Sequence, residues 1–414
     1  MRIIVVSNLY PPYQLGGYEI ACKNLVNGLR SLGHEVHVMT SPSHLDGGGG
    51  QEHVSRCMEL RAFQPVTSDI SHAHFESAAS NYTNTSLLLD RIREFRPDCV
   101  FLFNIYGLGG LALLDALNSL EFPWVMYLMD RLPEMLQHRL NPALLALYQA
   151  GDFSLYRSGK FISISRHLLR EITTMCRTGF PFDADFIPAW SDADERSRQR
   201  VHAADGTIRF VNAGALKPHK GIHIIIEAAA LLKERTLRDF TINFYGEGDQ
   251  GYYIDLCKQN QVSSRVFFNG LRSQEELMRI YLDSDVFLFP THHREPFAFA
   301  PVEAAAAGCV PIISNLCGNA ERFVHNVHCL KVSRDPNSLA DAMALVCESP
   351  SILRPIAQNA QSLTRQDLSF SHCLDRVERV LKTTLFRKRI GRIPTWRDFN
   401  LAYLKHNLAI KLSK

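Results

Sequence analysis

Residues 286–313 read VFLFPTHHREPFAFAPVEAAAAGCVPII. Val286–Phe289 is a short apolar run stopped by Pro290, as in a strand buried on both faces. A polar loop follows, and then Glu303-Ala-Ala-Ala-Ala-Gly308, alanine-rich and closed by glycine, as a short helix is. Val310–Ile313 returns as a second apolar strand. Strand, helix and strand in this order form one step of a parallel sheet.

The same step recurs outward. In this half Ile208–Ala213, Thr241–Tyr245 and Val266–Phe268 read as strands, and Ile222, Ile225, Ile226 and Ala229 mark a helix face. Upstream, Ser191–Gly206 is charged and aperiodic, a linker. Before it, Ile3–Val6 is a β-branched strand; Leu25, Leu29 and Leu32 recur at helical spacing up to Gly33, and Val36 and Val38 alternate. Cys99–Phe103, Leu111–Leu117, Trp124–Leu128 and Phe161–Ser165 continue the alternation. The expectation is an α/β chain of two Rossmann-like parallel-sheet domains facing a central cleft, with ligands at the carboxyl ends of the strands. The domains are residues 1–190 and 207–385, joined by linker 191–206 and followed by a helical tail, 386–414.

Length and composition agree. A chain of 414 residues exceeds one ordinary core. Its net charge of +3 provides no overall basic field, so nucleic acid is not an expected partner. The ten cysteines include no C-x2-C pair and no zinc-finger spacing, and read as small buried hydrophobes. The opening MRIIVVSNLYPP is too short in apolar residues for a secretory signal. Val100–Leu117, the most apolar stretch, is interrupted by Asn104, Gly107, Gly109, Gly110 and Asp115, unlike a spanning helix. A cytoplasmic protein, at most peripheral at the inner face of a membrane, is expected.

Glu295 and Glu303 form an E-x7-E pattern, the first on a loop beyond a strand, the second in a first helical turn. An ionised carboxylate can accept two hydrogen bonds from the paired hydroxyls of a ribose, at about 1.5–3 kcal/mol each. An acid that only complements a helix dipole is the plainer reading of Glu303 taken alone. A glycosidase would need two carboxylates opposed across the scissile bond, whereas these sit along one ligand.

With LYPPYQLGGYE near the start, NAGALKPHKG after the linker, and YGEG, FFNG and EELMRIYLDSD beyond, residues 1–385 resemble the retaining GT-B glycosyltransferases of family GT4. The resemblance implies a metal-independent transfer of sugar from a nucleotide-sugar to an acceptor hydroxyl, with no cofactor, in polysaccharide or glycoconjugate biosynthesis. It implies that Glu303 holds the ribose, Glu295 faces the transferred sugar, and backbone groups of Phe297 and Ala298 meet its hydroxyls. Lys220 would neutralise the departing diphosphate, helped by amides of Gly16 and Gly17, with Gly246 and Leu271 completing the donor side. The acceptor, a glycan, lipid-linked glycan or small molecule, would lie on the first domain, near the loops Gly47–Gly50 and Ser68–Ser80.

The chain departs from the family pattern in three places. Ala215 stands where an Arg is usual, with Lys217 as the nearest substitute. Phe103 and Asn104 stand where a His is usual, Asn104 keeping a donor for a sugar hydroxyl. Asp130 follows Met129 where a His-Asp pair is common. These departures leave open a nucleotide-sugar-binding protein without turnover, or a nucleotide-sugar epimerase.

Other motifs carry less. Gly246-Glu-Gly-Asp-Gln-Gly251 satisfies G-x-G-x-x-G, but the next strand ends in Asn269-Gly270 where a dinucleotide site needs an acid. His72, His74, His292 and His293 lack carboxylate or cysteine partners at ligand spacing. Asn81 and Asn84 open glycosylation sequons. From Leu381 onward nine Lys or Arg face one acid, Asp398, interleaved with Phe386, Ile390, Ile393, Trp396, Phe399, Leu401 and Leu404. The favoured reading buries these apolar residues against the first domain; the alternative is contact with anionic lipid through Arg387, Lys388, Arg389 and Arg392.

Overall fold

The computed structural model describes residues 1–13, 16–42, 53–61, 79–192, 206–387 and 391–413. Most of the linker, the loop Gly47–Gly50, most of Ser68–Ser80 with His72 and His74, and Lys388, Arg389 and Ile390 lie outside them.

Two compact units divide the chain. The first comprises Met1–Ile164, Leu168–Ile187 and Leu374–Lys414; the second comprises Ser165–His167 and Pro188–Cys373. The boundary expected at 385 therefore falls earlier, inside the helix Phe370–Arg387. Side-chain bonds account for this: Glu378 binds His34 at 2.7 Å and Thr383 binds Lys160 at 2.8 Å, both partners in the first unit. An unbroken helical pattern in sequence does not show where its contacts change.

The first unit contains strands β1 Arg2–Ser7, β2 Glu35–Thr40, β3 Val54–Arg56, β4 Cys99–Asn104, β5 Trp124–Leu128, β6 Lys160–Ser163 and β7 Ala184–Phe186. The second contains β8 Ile208–Ala213, β9 Phe240–Tyr245, β10 Val266–Phe268, β11 Val286–Phe289, β12 Val310–Ser314 and β13 Leu330–Val332. Their orders are β3-β2-β1-β4-β5-β6-β7 and β10-β9-β8-β11-β12-β13, and every pairing is parallel. These are two α/β parallel-sheet domains.

Sheet order determines where chemistry can occur. Central strands are covered on both faces: Ile3, Ile4, Val5 and Val6 are fully buried, as are Val286, Phe287 and Leu288. Side chains on such strands go into core, so ligands are left to the loops at the strand ends. In each unit the chain reverses direction across the sheet at its first strand, between β1 and β4 and between β8 and β11. A crevice opens at such a switch point, beyond the carboxyl ends of the strands.

The C-terminal helix Trp396–Leu412 packs within the first unit, on helices Tyr82–Phe95, Gly110–Ser119 and Pro142–Leu147. Lys405 reaches both oxygens of Asp115 at 2.7 and 2.8 Å, and His406 meets Ser80 Oγ at 3.1 Å. The expected burial of the tail's apolar residues is corrected: Phe399 is buried, but Ile393, Trp396, Leu401 and Leu404 are exposed. Helical spacing turns only one face inward, and Phe399, Ala402 and Ala409 occupy it.

The two sequons are structural. Asn81 caps the helix Tyr82–Phe95 by accepting from Asn84 N at 3.0 Å. Asn84, fully buried, donates to the carbonyls of Glu59 and Leu108 at 2.8 and 2.9 Å and accepts from Glu59 N at 2.7 Å. Asn84→Leu leaves these three backbone groups unpaired, at about 1–3 kcal/mol for each one that stays dry. We expect urea unfolding to show a loss of about 3 kcal/mol or more, and an unchanged midpoint would refute the assignment.

Candidate active site

In the second unit, the loops after β8, β9, β11 and β12 are joined backbone to backbone. Leu216 N donates to Glu247 O at 2.7 Å and Gly246 N to Gly270 O at 2.9 Å. Gly246 has φ of 150°, and a Cβ there would lie 1.9 Å from Gly214 O. Gly246, and Gly248 where a Cβ would lie 2.4 Å from Leu216 O, are thus required by loop-on-loop contact within the protein. Leu271, next to Gly270, is exposed.

The turn Pro218–Lys220 lies against the loop beyond β11. His292 N and His293 N both donate to His219 O, at 3.0 and 3.3 Å. This contact brings Lys220 onto Glu295, and the two form an ion pair through Nζ and Oε2. Glu295 is buried and Lys220 half-buried, its ammonium also 5.7 Å from the centre of the Phe289 ring. The residues predicted to serve sugar and diphosphate separately are therefore each other's partners. Lys217 is exposed at the start of the same turn. Burial, followed by the charges of Lys220 and Lys217, holds the His219 imidazole below its ordinary range, against an opposing effect of Glu295. The His223 and His292 rings meet edge to face at 4.8 Å. Among the described residues, no cluster of three His, Cys, Asp or Glu is arranged to hold a metal.

The loop after β12 adds support that sequence reading missed. Asn319, fully buried, accepts from Ala298 N and donates to Ala298 O, both at 2.9 Å. The Ala298 backbone, expected to meet sugar hydroxyls, is thus already satisfied by a side chain. The Phe297 ring is buried. A Cβ on Gly318 would lie 1.6 Å from Pro296 O, and Gly318 N donates to Glu295 O at 2.9 Å. Ser165 Oγ donates to Pro296 O at 2.7 Å. The Gly318-Asn319 pair a few residues beyond the apolar strand Val310–Ser314 was the available signal, a turn signature with no stated partner.

Glu303 lies in the first turn of the helix Ala300–Ala306. Burial raises its carboxyl to about 7, an effect that a hydrogen bond with the Gln274 side chain partly offsets. The Glu303 charge in turn adds to the burial that holds the Tyr281 phenol well above its ordinary range. The two glutamates therefore differ: one is paired with a cation, the other kept near its titration point at neutral pH.

In the first unit a cavity of about 440 Å³ lies at the carboxyl ends of β4 and β5. Tyr18, Phe103, Asn104, Met126, Asp130 and Arg139 are among its lining residues. Phe103 meets Tyr18 and Tyr127 edge to face at 5.4 and 5.3 Å, giving an aromatic wall. Burial, then the nearby charge of Asp130, raises the Tyr18 phenol. Asn104 Oδ1 accepts from Tyr106 N at 3.1 Å, and its carbonyl accepts from Asn8 N at 2.7 Å. Asn8, also missed, ties β1 to β2 by accepting from Ser41 Oγ at 2.6 Å. Gly16, expected to offer its amide to phosphate, donates it to Glu19 Oε2 at 3.0 Å. Gly17 opens the helix Gly17–Ser31 and is exposed.

Comparison with known proteins follows the same division. Residues 193–363 match the family described as Glycosyl transferases group 1, and residues 15–182 match Glycosyltransferase Family 4. An uncharacterized glycosyltransferase of Methanocaldococcus jannaschii is 25% identical over 93% of this chain and 99% of its own. A glycogen synthase of Mycobacterium tuberculosis is 26% identical over 89% and 92%. Among solved structures, sucrose-phosphate synthase from Thermosynechococcus elongatus superposes with a TM-score of 0.72 at 16% identity, covering 93% of this chain and 99% of that one. HepE of Anabaena, solved in complex with UDP, superposes at 0.67 with 19% identity, covering 92% and 100%. Two parallel sheets of this order, with one family matched by the second half of the chain and the other by the first, lead to one conclusion: the chain is a glycosyltransferase and belongs to the GT-B enzymes of the GT4 type.

Proposed function

We propose that this enzyme moves a sugar from a nucleotide-sugar to an acceptor hydroxyl with retention of configuration and without metal, in the synthesis of a polysaccharide or glycoconjugate. The observation that carries this reading is the Lys220–Glu295 ion pair in the same loop system as Glu303. A diphosphate arriving beside Lys220 is a stronger partner for the ammonium than a single carboxylate. Lys220 then stabilises charge on the leaving group, and the Glu295 carboxylate turns to the sugar, which it orients. Retention follows if the acceptor attacks from the leaving-group side, its proton passing to the departing phosphate. Glu303 accepts the ribose hydroxyls.

HepE was solved with UDP and, separately, with UDP-glucose, which makes UDP-sugars the first donors to test. For the acceptor, the first-unit cavity is walled by Phe103, Tyr127 and Met126, with Asn8, Asn104, Asp130 and Arg139 among its polar groups. A bare sugar needs hydrogen-bonding groups all round, whereas a lipid-linked or aryl-bearing acceptor matches an apolar wall with a few polar groups.

Two predictions test it. With the tightest binder among UDP-, GDP-, ADP- and dTDP-glucose, Glu295→Gln should retain donor binding within a few-fold and lose about 100-fold or more in nucleotide release; unchanged release would refute the role. The second concerns pH. Only ionised Glu303 accepts two ribose bonds, so donor affinity should rise between pH 6 and 8 as its carboxyl titrates near 7, and Glu303→Gln should abolish this rise and weaken binding about tenfold or more. Stability of the unliganded protein runs the other way. Because the folded value of about 7 lies above the ordinary 4.5, the Glu303 contribution is complete below about 4.5 and lost as pH rises through about 7. A donor affinity that is flat with pH in the wild type would remove Glu303 as the ribose clamp.

A further inference from the structure

The outward face of the C-terminal helix has no counterpart in a transferase reaction. A helix lying on a soluble unit ordinarily presents polar residues to water. Here Trp396 is 76% exposed and Leu404 64%, and Leu401 and Leu408 are exposed on the same side. At 100° per residue these side chains lie on the side away from Ala402 and Ala409, whereas Tyr403 falls next to Phe399 and its ring meets that of Tyr82 in the same unit at 5.3 Å. Contiguous exposed apolar surface of this kind marks an interaction site.

Charge indicates what covers it. Arg397 and Lys411 are exposed on the same face. The helix's single acid, Asp398, is turned inward, where Arg392 donates to its Oδ2 at 2.7 Å and holds its carboxyl well below the usual range. The outward side is therefore apolar and cationic with no acid. A second copy docked face to face would bring Arg397 and Lys411 against their own kind. A surface of anionic phospholipids satisfies both features: headgroups take the cations, while Trp sits at headgroup depth and Leu enters the acyl boundary. The inward side is fixed to the protein by Lys405–Asp115 and His406–Ser80, so the helix lies along the membrane. Among the described residues, no helix is long and apolar enough to cross one. We propose that the face formed by Trp396, Arg397, Leu401, Leu404, Leu408 and Lys411 docks the enzyme on an anionic lipid bilayer, independently of its turnover.

The test uses the full chain with vesicles of phosphatidylcholine alone or mixed with phosphatidylglycerol. The wild type should sediment with the mixed vesicles, less so as salt rises. Its tryptophan emission should shift to the blue, because Trp124 and Trp190 are already buried and Trp396 is the one left to report. The double variant Trp396→Glu/Leu404→Glu should partition about tenfold or more weakly with an unchanged Tm, since both residues are exposed. Arg397→Glu/Lys411→Glu should lose about tenfold or more on the mixed vesicles. The proposal falls if the wild type sediments with neither vesicle, or if the glutamate pair at 396 and 404 binds like wild type. It also falls if sedimentation velocity shows a wild-type dimer that this pair dissolves while vesicle binding is absent, because a second copy would then be the occupant.

Discussion

A carboxyl group as buried as that of Glu295 needs a cation close by, and Lys220 meets that need. Removing one member of such a pair leaves the other uncompensated in a poorly solvated place, typically at several kcal/mol. The constraint propagates outward. Lys220 reaches Glu295 only because β8 and β11 are neighbours and the Pro218–Lys220 turn is bonded to the loop after β11. That loop is held from beneath by Gly318, Asn319 and Ser165, which bond to the backbone of Glu295, Ala298 and Pro296. The ion pair thus makes a demand of the sheet order, which satisfies it.

The pair also bears on specificity. Lys220 and Glu295 neutralise each other in the unliganded protein, so a ligand carrying only a nucleoside leaves both in place. In the proposed reaction a diphosphate would compete for the ammonium and release the carboxylate, so that the acid becomes available only with the leaving group. Under the proposed reaction, the charge that supports departure of the diphosphate and the charge that orients the sugar are exposed together. Glu303 is tuned differently, by burial and a Gln274 hydrogen bond rather than by a cation among the described residues, which in the proposed reading suits a group that accepts neutral hydroxyls.

Much of this was legible in the sequence, for identifiable reasons. Runs such as Ile3–Val6 and Val286–Phe289 are apolar throughout because both faces are covered, so strand–helix alternation gave the two sheets. The strands β3, β7 and β13 were missed because VSR, ADF and LKV are three-residue edge strands without a buried run. Glu295, Glu303 and Lys220 were legible from local motifs, but the pairing of Lys220 with Glu295 spans 75 positions and follows no local spacing. Asn319 and Asn8 act through backbone carbonyls and amides that no residue pattern names. The use of the Gly16 amide by Glu19 could have been read, since an acid three positions after a helix N-cap is a capping signature.

The tail marks the limit of pattern reading. Its apolar residues recur all round the helix, which is equally the pattern of a helix buried on every side and of one buried on one side and immersed in lipid on the other. Periodicity cannot separate these; only the number of neighbours can. The first unit buries Phe399 and Ala409 and leaves most of Trp396 and Leu404 exposed. The placement of charge then decides what the uncovered side fits. The lone acid is spent on Arg392, within the protein, while Arg397 and Lys411 remain outward. In a soluble surface helix, acids and bases are interspersed on the wet face; segregating the acid inward leaves a face suited to anions laid out in a plane. An acceptor with an apolar body, the kind the Phe103–Tyr127 wall would suit, would be concentrated in such a plane, so the same preference for apolar surface arises at two separate places in the first unit.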